Sequence, residues 1–317
     1  MTGFLVRRLG QSVIVVFGVT ILTFVLTRLL PGGVARAILG TRASPIAIAD
    51  FNQANGLDLP GWQQYLFYLN QVLHGNLGFS YQLNESVVDL LKDHLPKTII
   101  LLGLSTLLAL AIAIPLGVMQ AVRRNKLDDY FFTSLSFALY SMPIFWLGLI
   151  LIIVFSADLN VLSPQGPQGD TSTYLDPSQI AALVLPVVTL ALVEIALFSR
   201  YMRSSMLDNL VQDYVRTAKA KGVSMTGILY GHVLRNALLP IVTLLGLSLP
   251  GIFSGALIAE AIFNYPGMGL LFWDSAQKRD FPVLLGVTLV VAIATVVGNL
   301  LADIGYAVVD PRVRITE

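Results

Sequence analysis

The chain is expected to be an all-α, polytopic membrane protein with six transmembrane helices and both termini in the cytoplasm. Three observations carry this. Of its 317 residues, 55% are hydrophobic and only 12% are charged, about half the ~25% charged share of soluble domains. Six uncharged runs come near or exceed the ~20 residues that cross a bilayer as helix. They are Leu9 to Thr27, Thr98 to Val122, Tyr130 to Ala157, Pro177 to Val193, Asn236 to Ala259 and Phe281 to Ala302. Finally, the connections sort by charge in a way that fixes orientation.

Arg7 and Arg8 precede the first run, which is read as a membrane anchor rather than a cleaved leader. It exceeds the ~7–15 apolar residues of a signal peptide's core. Pro31 to Lys97 then forms the one sizeable extracytoplasmic insert. It mixes aromatic residues (Trp62, Tyr65, Phe67, Tyr68, Phe79, Tyr81) with turn formers such as Pro31-Gly32-Gly33, Asn55-Gly56, Pro60-Gly61 and Gly75-Asn76. Short helices and turns lying on the membrane face follow, either receiving a partner or capping the helix ends. Arg123, Arg124 and Lys126 follow the second run, six Lys and Arg fall from Arg200 to Arg235, and Arg312 and Arg314 lie near the end. These basic connections are assigned to the cytoplasm. The connection from Asp158 to Asp176 has no Lys or Arg and contains the flexible run Pro164 to Asp170; it and Glu260 to Asp280 are assigned to the opposite side.

Prolines at 115, 143, 186, 240 and 250 fall inside the runs and favour kinks. Gly246, Gly251 and Gly255, with Ser248 and Ser254, suit close helix contact. Ionisable groups within the spans are scarce. Glu194 lies near the cytoplasmic end of the fourth, with Arg200 and Arg203 in reach, and Glu260 and Asp303 close the fifth and sixth, where snorkelling is cheap. Near the outer face, Glu260 to Gly269 followed by Arg279-Asp280 reads as a shaped loop.

Between the fourth and fifth spans stands a polar stretch, Asp213-Tyr214-Val215-Arg216-Thr217-Ala218-Lys219-Ala220-Lys221-Gly222, followed by His232 and Arg235-Asn236-Ala237-Leu238-Leu239-Pro240. It is long enough for two short helices. Ala218 and Gly222 stand four apart, as on one helical face, so the stretch reads as a docking element.

Several functions lack their chemistry here. Net charge is +1, so there is no basic field for nucleic acid. With no cysteine and three histidines, none in an HExxH, there is no disulfide framework and no thiolate metal site. No GxxxxGK[ST] occurs, so the chain has no phosphate-binding loop of its own. A proton-coupled transporter would need membrane-embedded carboxylates. An intramembrane hydrolase would need a base beside a hydroxyl such as Ser105 or Ser248, and no histidine falls in an expected span.

The string Arg216-Thr217-Ala218, three residues, then Gly222 resembles in spacing the EAA loop of type I ABC importer permeases. Arg216 and Thr217 replace that loop's glutamate and first alanine, and Leu239-Pro240 lies later than usual. The whole string, with His232, Arg235-Asn236-Ala237-Leu238 and Pro240, is similar to the variant of dipeptide, oligopeptide and nickel importers. Further pieces resemble their B-type permease subunit in order: Leu57-Asp58-x-Pro60 with Gln64-Tyr65, Gly75-Asn76-Leu77-Gly78-x-Ser80, Leu95-Pro96-x-Thr98, Ser141-x-Pro143-x-Phe145-Trp146, Arg200-x-x-Arg203-Ser204-x-Met206, Glu260-x-x-Phe263-x-x-Pro266-Gly267-x-Gly269 and Arg279-Asp280-x-Pro282.

The resemblance implies a type I (MetI-like) permease fold: a first helix plus insert over 1–96, and a five-helix core over 97–310 with its cytoplasmic coupling loop at 200–236. It implies a non-catalytic subunit of a bacterial or archaeal plasma membrane importer, in contact with lipid. Its partners would be a homologous second permease, two ATPase subunits holding ATP and Mg, and an extracytoplasmic binding protein; the chain itself would bind no cofactor. ATPase docking falls to Asp213, Tyr214, Arg216, Thr217, Ala218, Lys219, Lys221, Gly222, His232, Arg235 and Asn236. An outer gate or binding-protein contact falls to Glu260, Phe263, Pro266, Gly267, Gly269, Arg279 and Asp280.

Overall fold

The computed structural model describes residues 2–28, 33–40, 42–80, 82–169, 176–254 and 256–309. Pro31, Gly32, Tyr81, Asp170, Gly255, Arg312 and Arg314 lie outside them, as do the side chains of Arg8, Pro250, Ser254 and Asp303. Helix α1 (Thr2–Arg28) is followed by three short helices, α2 (Gly33–Leu39), α3 (Pro45–Ala54) and α4 (Gly61–Leu73). A small antiparallel hairpin comes next, β1 (Phe79–Ser80) and β2 (Glu85–Ser86), pairing Phe79 with Ser86 and Ser80 with Glu85. The core comprises α5 (Val87–Val122), α6 (Leu127–Ser141), α7 (Ile144–Ile152) with a π-helical end at Ile153–Asp158, and α8 (Pro177–Leu210). Then come α9 (Asp213–Ala220), α10 (Met225–Gly227), a π-helical turn at Ile228–Val233, α11 (Leu234–Ala237) and α12 (Leu239–Ser254). Helices α13 (Leu257–Ile262), α14 (Met268–Lys278) and α15 (Phe281–Val309) complete the order.

Among the described residues, four helical stretches are long and apolar enough to cross a membrane: Val87–Val122, Pro177–Leu210, Met225–Ser248 and Phe281–Leu300. The pair α6 and α7, bent by 105°, makes a fifth if counted as one span. In α1 the apolar stretch Gly10–Leu26 is shorter than these.

The third run is therefore not one straight helix. It breaks at Met142-Pro143, where proline lacks the N–H that would continue the ladder and its ring opposes the preceding turn. Two other helices outrun their apolar stretches. α5 starts at Val87 rather than Thr98, because Ser86 caps it by accepting from the Asp89 amide at 3.1 Å. α8 continues past Val193 to Leu210, since its buried stripe, through Phe198, Met202 and Met206, persists beyond the uncharged run. The insert does form short helices and turns, and α4 packs on α1: the Tyr65 hydroxyl lies 2.9 Å from Thr20 Oγ1, with its ring edge-on to Phe24.

α5 and α8 run side by side in the same direction. Near their starts Leu101 clusters with Leu183, Val187 and Leu190, and further on Gly117 lies against Ser199 and Met202. A Cβ on Gly117 would come within 2.6 Å of the Met202 Cβ and 2.8 Å of the Ser199 carbonyl, so only glycine permits this approach. One apolar cluster then joins α5, α8, α9, α11 and α12 at the end carrying the polar stretch. A second, of Val87, Leu90, Leu91, Met268, Leu271, Val283 and Val287, joins α5, α14 and α15 at the hairpin end.

The charges in α8 have partners that the sequence did not suggest. Arg203 donates through Nε and Nη2 to both oxygens of Asp129 at 2.7 and 2.8 Å, fastening α6 to α8. Asp129 also accepts from the Asn125 amide at 3.0 Å. Arg200 stacks on the rings of Phe137 and Tyr140. Although both arginines are within reach in sequence, neither pairs with Glu194, whose Oε1 accepts from Thr106 at 3.2 Å and whose buried Oε2 has no partner among the described residues.

The ion pair makes a measurable demand on stability. Asp129→Asn should lower the melting temperature of the purified protein, because it leaves a partly buried guanidinium without its counter-charge, at a cost on the order of 3 kcal/mol. Arg203→Lys, which keeps the charge but not the fork, should fall between that variant and the parent.

Candidate functional site

The polar stretch folds as a compact helical projection. α9 is only eight residues long, too short to persist alone in water. It is held by Val215 and Ala218, which are 1% and 8% exposed and insert into the cluster built by Phe198, Met202 and Met206 of α8, with Ile228, Val233, Ala237 and Ile241. Tyr214 donates to Asn209 at 2.9 Å, tying α9 back to the end of α8.

Gly222 is not on a shared helical face with Ala218. It stands one residue past the C-cap Lys221, with φ of 77°. Its amide donates to the Lys219 carbonyl at 3.0 Å, and the Val223 amide to that of Ala218 at 3.2 Å. This is a Schellman termination, which needs a left-handed residue and therefore favours glycine. Ala218 meanwhile points into the chain's own core.

What remains outward is a basic face. Arg216, Lys219, Lys221, His232 and Arg235 are exposed, together with Asp213, Thr217 and Asn236. Arg216 reaches back to Asp213 at 3.2 Å, both largely exposed, an arrangement worth little in stability. The structure adds apolar neighbours that the sequence reading missed: Val211, Val223, Met225 and Tyr230 are all exposed on this projection. Their signal was present as large apolar residues within a polar segment outside the membrane.

The outer-loop residues meet in a second constellation. Glu260 is completely buried, so it does not snorkel. Its Oε1 accepts from Thr98 at 3.0 Å and from the Ala256 amide at 3.2 Å, and its Oε2 from the Leu270 amide at 2.9 Å. Burial pushes its carboxyl above the ordinary range, and the donors from Leu270, Thr98, Ala256 and Gly269 draw it back. Thr98 Oγ1 in turn accepts from the Met268 amide at 2.7 Å, and Tyr265 donates to the Lys97 carbonyl at 2.6 Å. The glycines of this segment permit contact: a Cβ on Gly267 would stand 2.5 Å from the Glu260 carboxyl carbon.

Phe263 and Tyr265 are buried beneath the loop that follows α7, whose Gly166 amide donates to the Phe263 carbonyl at 2.7 Å. Arg279 is exposed and ends α14 in the left-handed region. Asp280 is buried and accepts from Ser80 of the hairpin. Of the residues assigned to an outer gate or partner contact, Glu260, Phe263, Gly267, Gly269 and Asp280 are thus enclosed by the chain, Pro266 is half-buried, and Arg279 faces outward. Ser105 and Ser248 donate to helix carbonyls one turn back.

Glu260→Gln should destabilise the purified protein, because it points an amide donor at other donors. Gly267→Ala should do the same by displacing the carboxylate. The double variant should cost less than the sum in thermal unfolding, since both act on one contact.

Sequence comparison agrees with this architecture. The model of the binding-protein-dependent transport system inner membrane component matches residues 113–315, and that of its N-terminal membrane component matches residues 1–102. The chain is 41% identical over 315 residues to the oligopeptide transport system permease protein of Bacillus subtilis (strain 168), covering 99% of this chain and all of the relative. It is 37% identical over 337 residues to the dipeptide transport system permease protein of Escherichia coli (strain K12), covering 99% of each. To the di/tripeptide transport system permease protein of Pseudomonas aeruginosa (strain UCBPP-PA14) it is 37% identical over 335 residues, again covering 99% of each. The chain belongs to the family of inner membrane components of binding-protein-dependent transport systems.

Proposed function

We propose that this chain is a permease subunit of a peptide ABC importer and that the projection from Asp213 to Asn236 is where it receives the force of ATP hydrolysis. The observation that carries the second statement is the two-faced build of α9. Val215 and Ala218 are sunk into a core shared with α8 and α12, while Arg216, Lys219 and Lys221 face outward. A partner gripping the outward face would move α9, and the apolar cluster that Val215 and Ala218 share with Ile228 and Val233 of the π-helical turn and with Met202 and Met206 of α8 would carry that motion into the bundle. The peptide assignment rests on the named relatives and on the scarcity of fixed charge along the apolar spans, which favours weak holding and passage.

In this reading the chain has six spans with both termini in the cytoplasm. It pairs with a homologous permease, rests on two ATPase subunits and receives cargo from an extracytoplasmic binding protein. ATP and Mg stay with the ATPases. Glu260 and Asp280 hold the outer end rigid, and Arg279 is left as the exposed member of that end.

Reconstituted with its partners in vesicles, the complex should hydrolyse ATP faster when peptide-loaded binding protein is added on the extracytoplasmic side, and peptide should accumulate across the membrane. Uptake that follows a proton gradient without ATP would defeat the reading. Gly222 separates cap from clearance. Its Cβ would meet nothing within 4 Å inside the chain, so Gly222→Asn should keep most uptake, because asparagine tolerates the left-handed region. Gly222→Val should cost about 1–2 kcal/mol of local strain and uncouple hydrolysis from uptake. If asparagine abolishes uptake as fully as valine, clearance at the ATPase surface is the controlling factor instead.

A further inference from the structure

A pocket of about 280 Å³ opens at the hairpin end, between the hairpin, the first turns of α5 and α14. Its polar wall consists of Glu85, His94, Asp274, Ser275, Lys278 and Asp280, set among leucines and Pro266. Ser275 is 2% exposed and its hydroxyl has no hydrogen-bond partner among the described residues. A buried hydroxyl left unpaired costs roughly 1–3 kcal/mol, so this one is a poised hydrogen-bonding position on the pocket wall. His94 holds Nδ1 at 2.8 Å from the Leu90 carbonyl, which fixes the ring and places the proton on that nitrogen.

The charges are unbalanced. Among the described residues, Glu85 and Asp274 make no side-chain hydrogen bond or ion pair, Asp280 is engaged by Ser80, and Lys278, the one fully charged cation lining the pocket, makes no ion pair either. Three carboxylates therefore face one ammonium. The volume lies under the ~300–1,000 Å³ of sites that enclose whole small molecules, which suits a single long side chain. Apolar walls from Leu90, Leu270 and Leu271 would accept its methylene stem.

We propose that this pocket is a socket for one Lys or Arg side chain of the extracytoplasmic binding protein, with Glu85 and Asp274 pairing its charge and Ser275 accepting one of its hydrogens. The proposal rests on the importer reading and on its orientation. It names a recognition point within that docking. The socket is also continuous with the buried constellation: Leu270, a wall residue, donates its amide to Glu260, and Asp280 binds Ser80. A side chain seated there would bear directly on the clamp between α14 and α5.

The test titrates the reconstituted importer with its peptide-loaded binding protein and follows ATP hydrolysis. Combined Glu85→Gln and Asp274→Asn should raise the half-saturating concentration of binding protein by about tenfold, with the effect in that concentration rather than in the maximal rate, and should flatten its dependence on salt. Lys278→Glu, at an exposed position, should shift the same concentration the opposite way. An unchanged concentration in both variants overturns the proposal. So does a change only in the dependence on peptide at saturating binding protein, which would place cargo in the pocket. Absence of stimulation in the unaltered complex overturns the importer reading and the socket together.

Discussion

The carboxylate of Glu260 is the contact on which the hairpin end of the molecule depends. It accepts from α5 through Thr98, from its own helix start through Ala256, and from α14 through Leu270. Thr98 lies 162 residues away in sequence while Ala256 and Leu270 are 4 and 10 away, and a backbone that doubles back between α12 and α15 has few other ways to satisfy its amides away from water. One acidic side chain with several acceptor positions closes the turn and fastens it to the bundle. The glycines at 267 and 269 leave the space that this requires.

From that fixed end the two central helices carry structure to the other. α5 leaves the clamp at Thr98 and lies along α8, in contact close enough at Gly117 to exclude any side chain. α8 leads within two residues to α9, and the Arg203–Asp129 fork pins α6 to α8 just before α8 ends. Apolar packing alone resists sliding poorly among helices already surrounded by lipid. The fork and the Gly117 contact supply directional constraint.

Several short sequence pieces with no evident common purpose acquire one in three dimensions. Ser80, Thr98, Glu260, Gly267 and Asp280 come from four separate pieces and meet at one end. Asn76 shapes the approach to the hairpin by accepting from the Gly78 amide at 3.0 Å. Met206 is wholly buried and Arg203 is paired, while Pro143 makes the bend between α6 and α7. Most of these residues serve placement. The outward chemistry is left to the basic face of α9 and the carboxylate-rich pocket.

By itself the sequence determined the helical class, the membrane setting and the position of the polar projection, because hydropathy and charge act locally and read directly from composition along the chain. It also marked Gly222, though for the wrong local reason: a left-handed cap depends on φ, which spacing between small residues does not encode. Tertiary structure alone decided which charges pair. Asp129 with Arg203 is a long-range ion pair and Glu260 with Thr98 a long-range hydrogen bond, whereas Arg200 and Arg203, near Glu194 in sequence, take other partners. It also decided where helices end, since α5 and α8 outrun their apolar stretches for as long as a cap or a buried face supports them. Proximity in the folded chain is set by packing, and packing is not written in the spacing of residues.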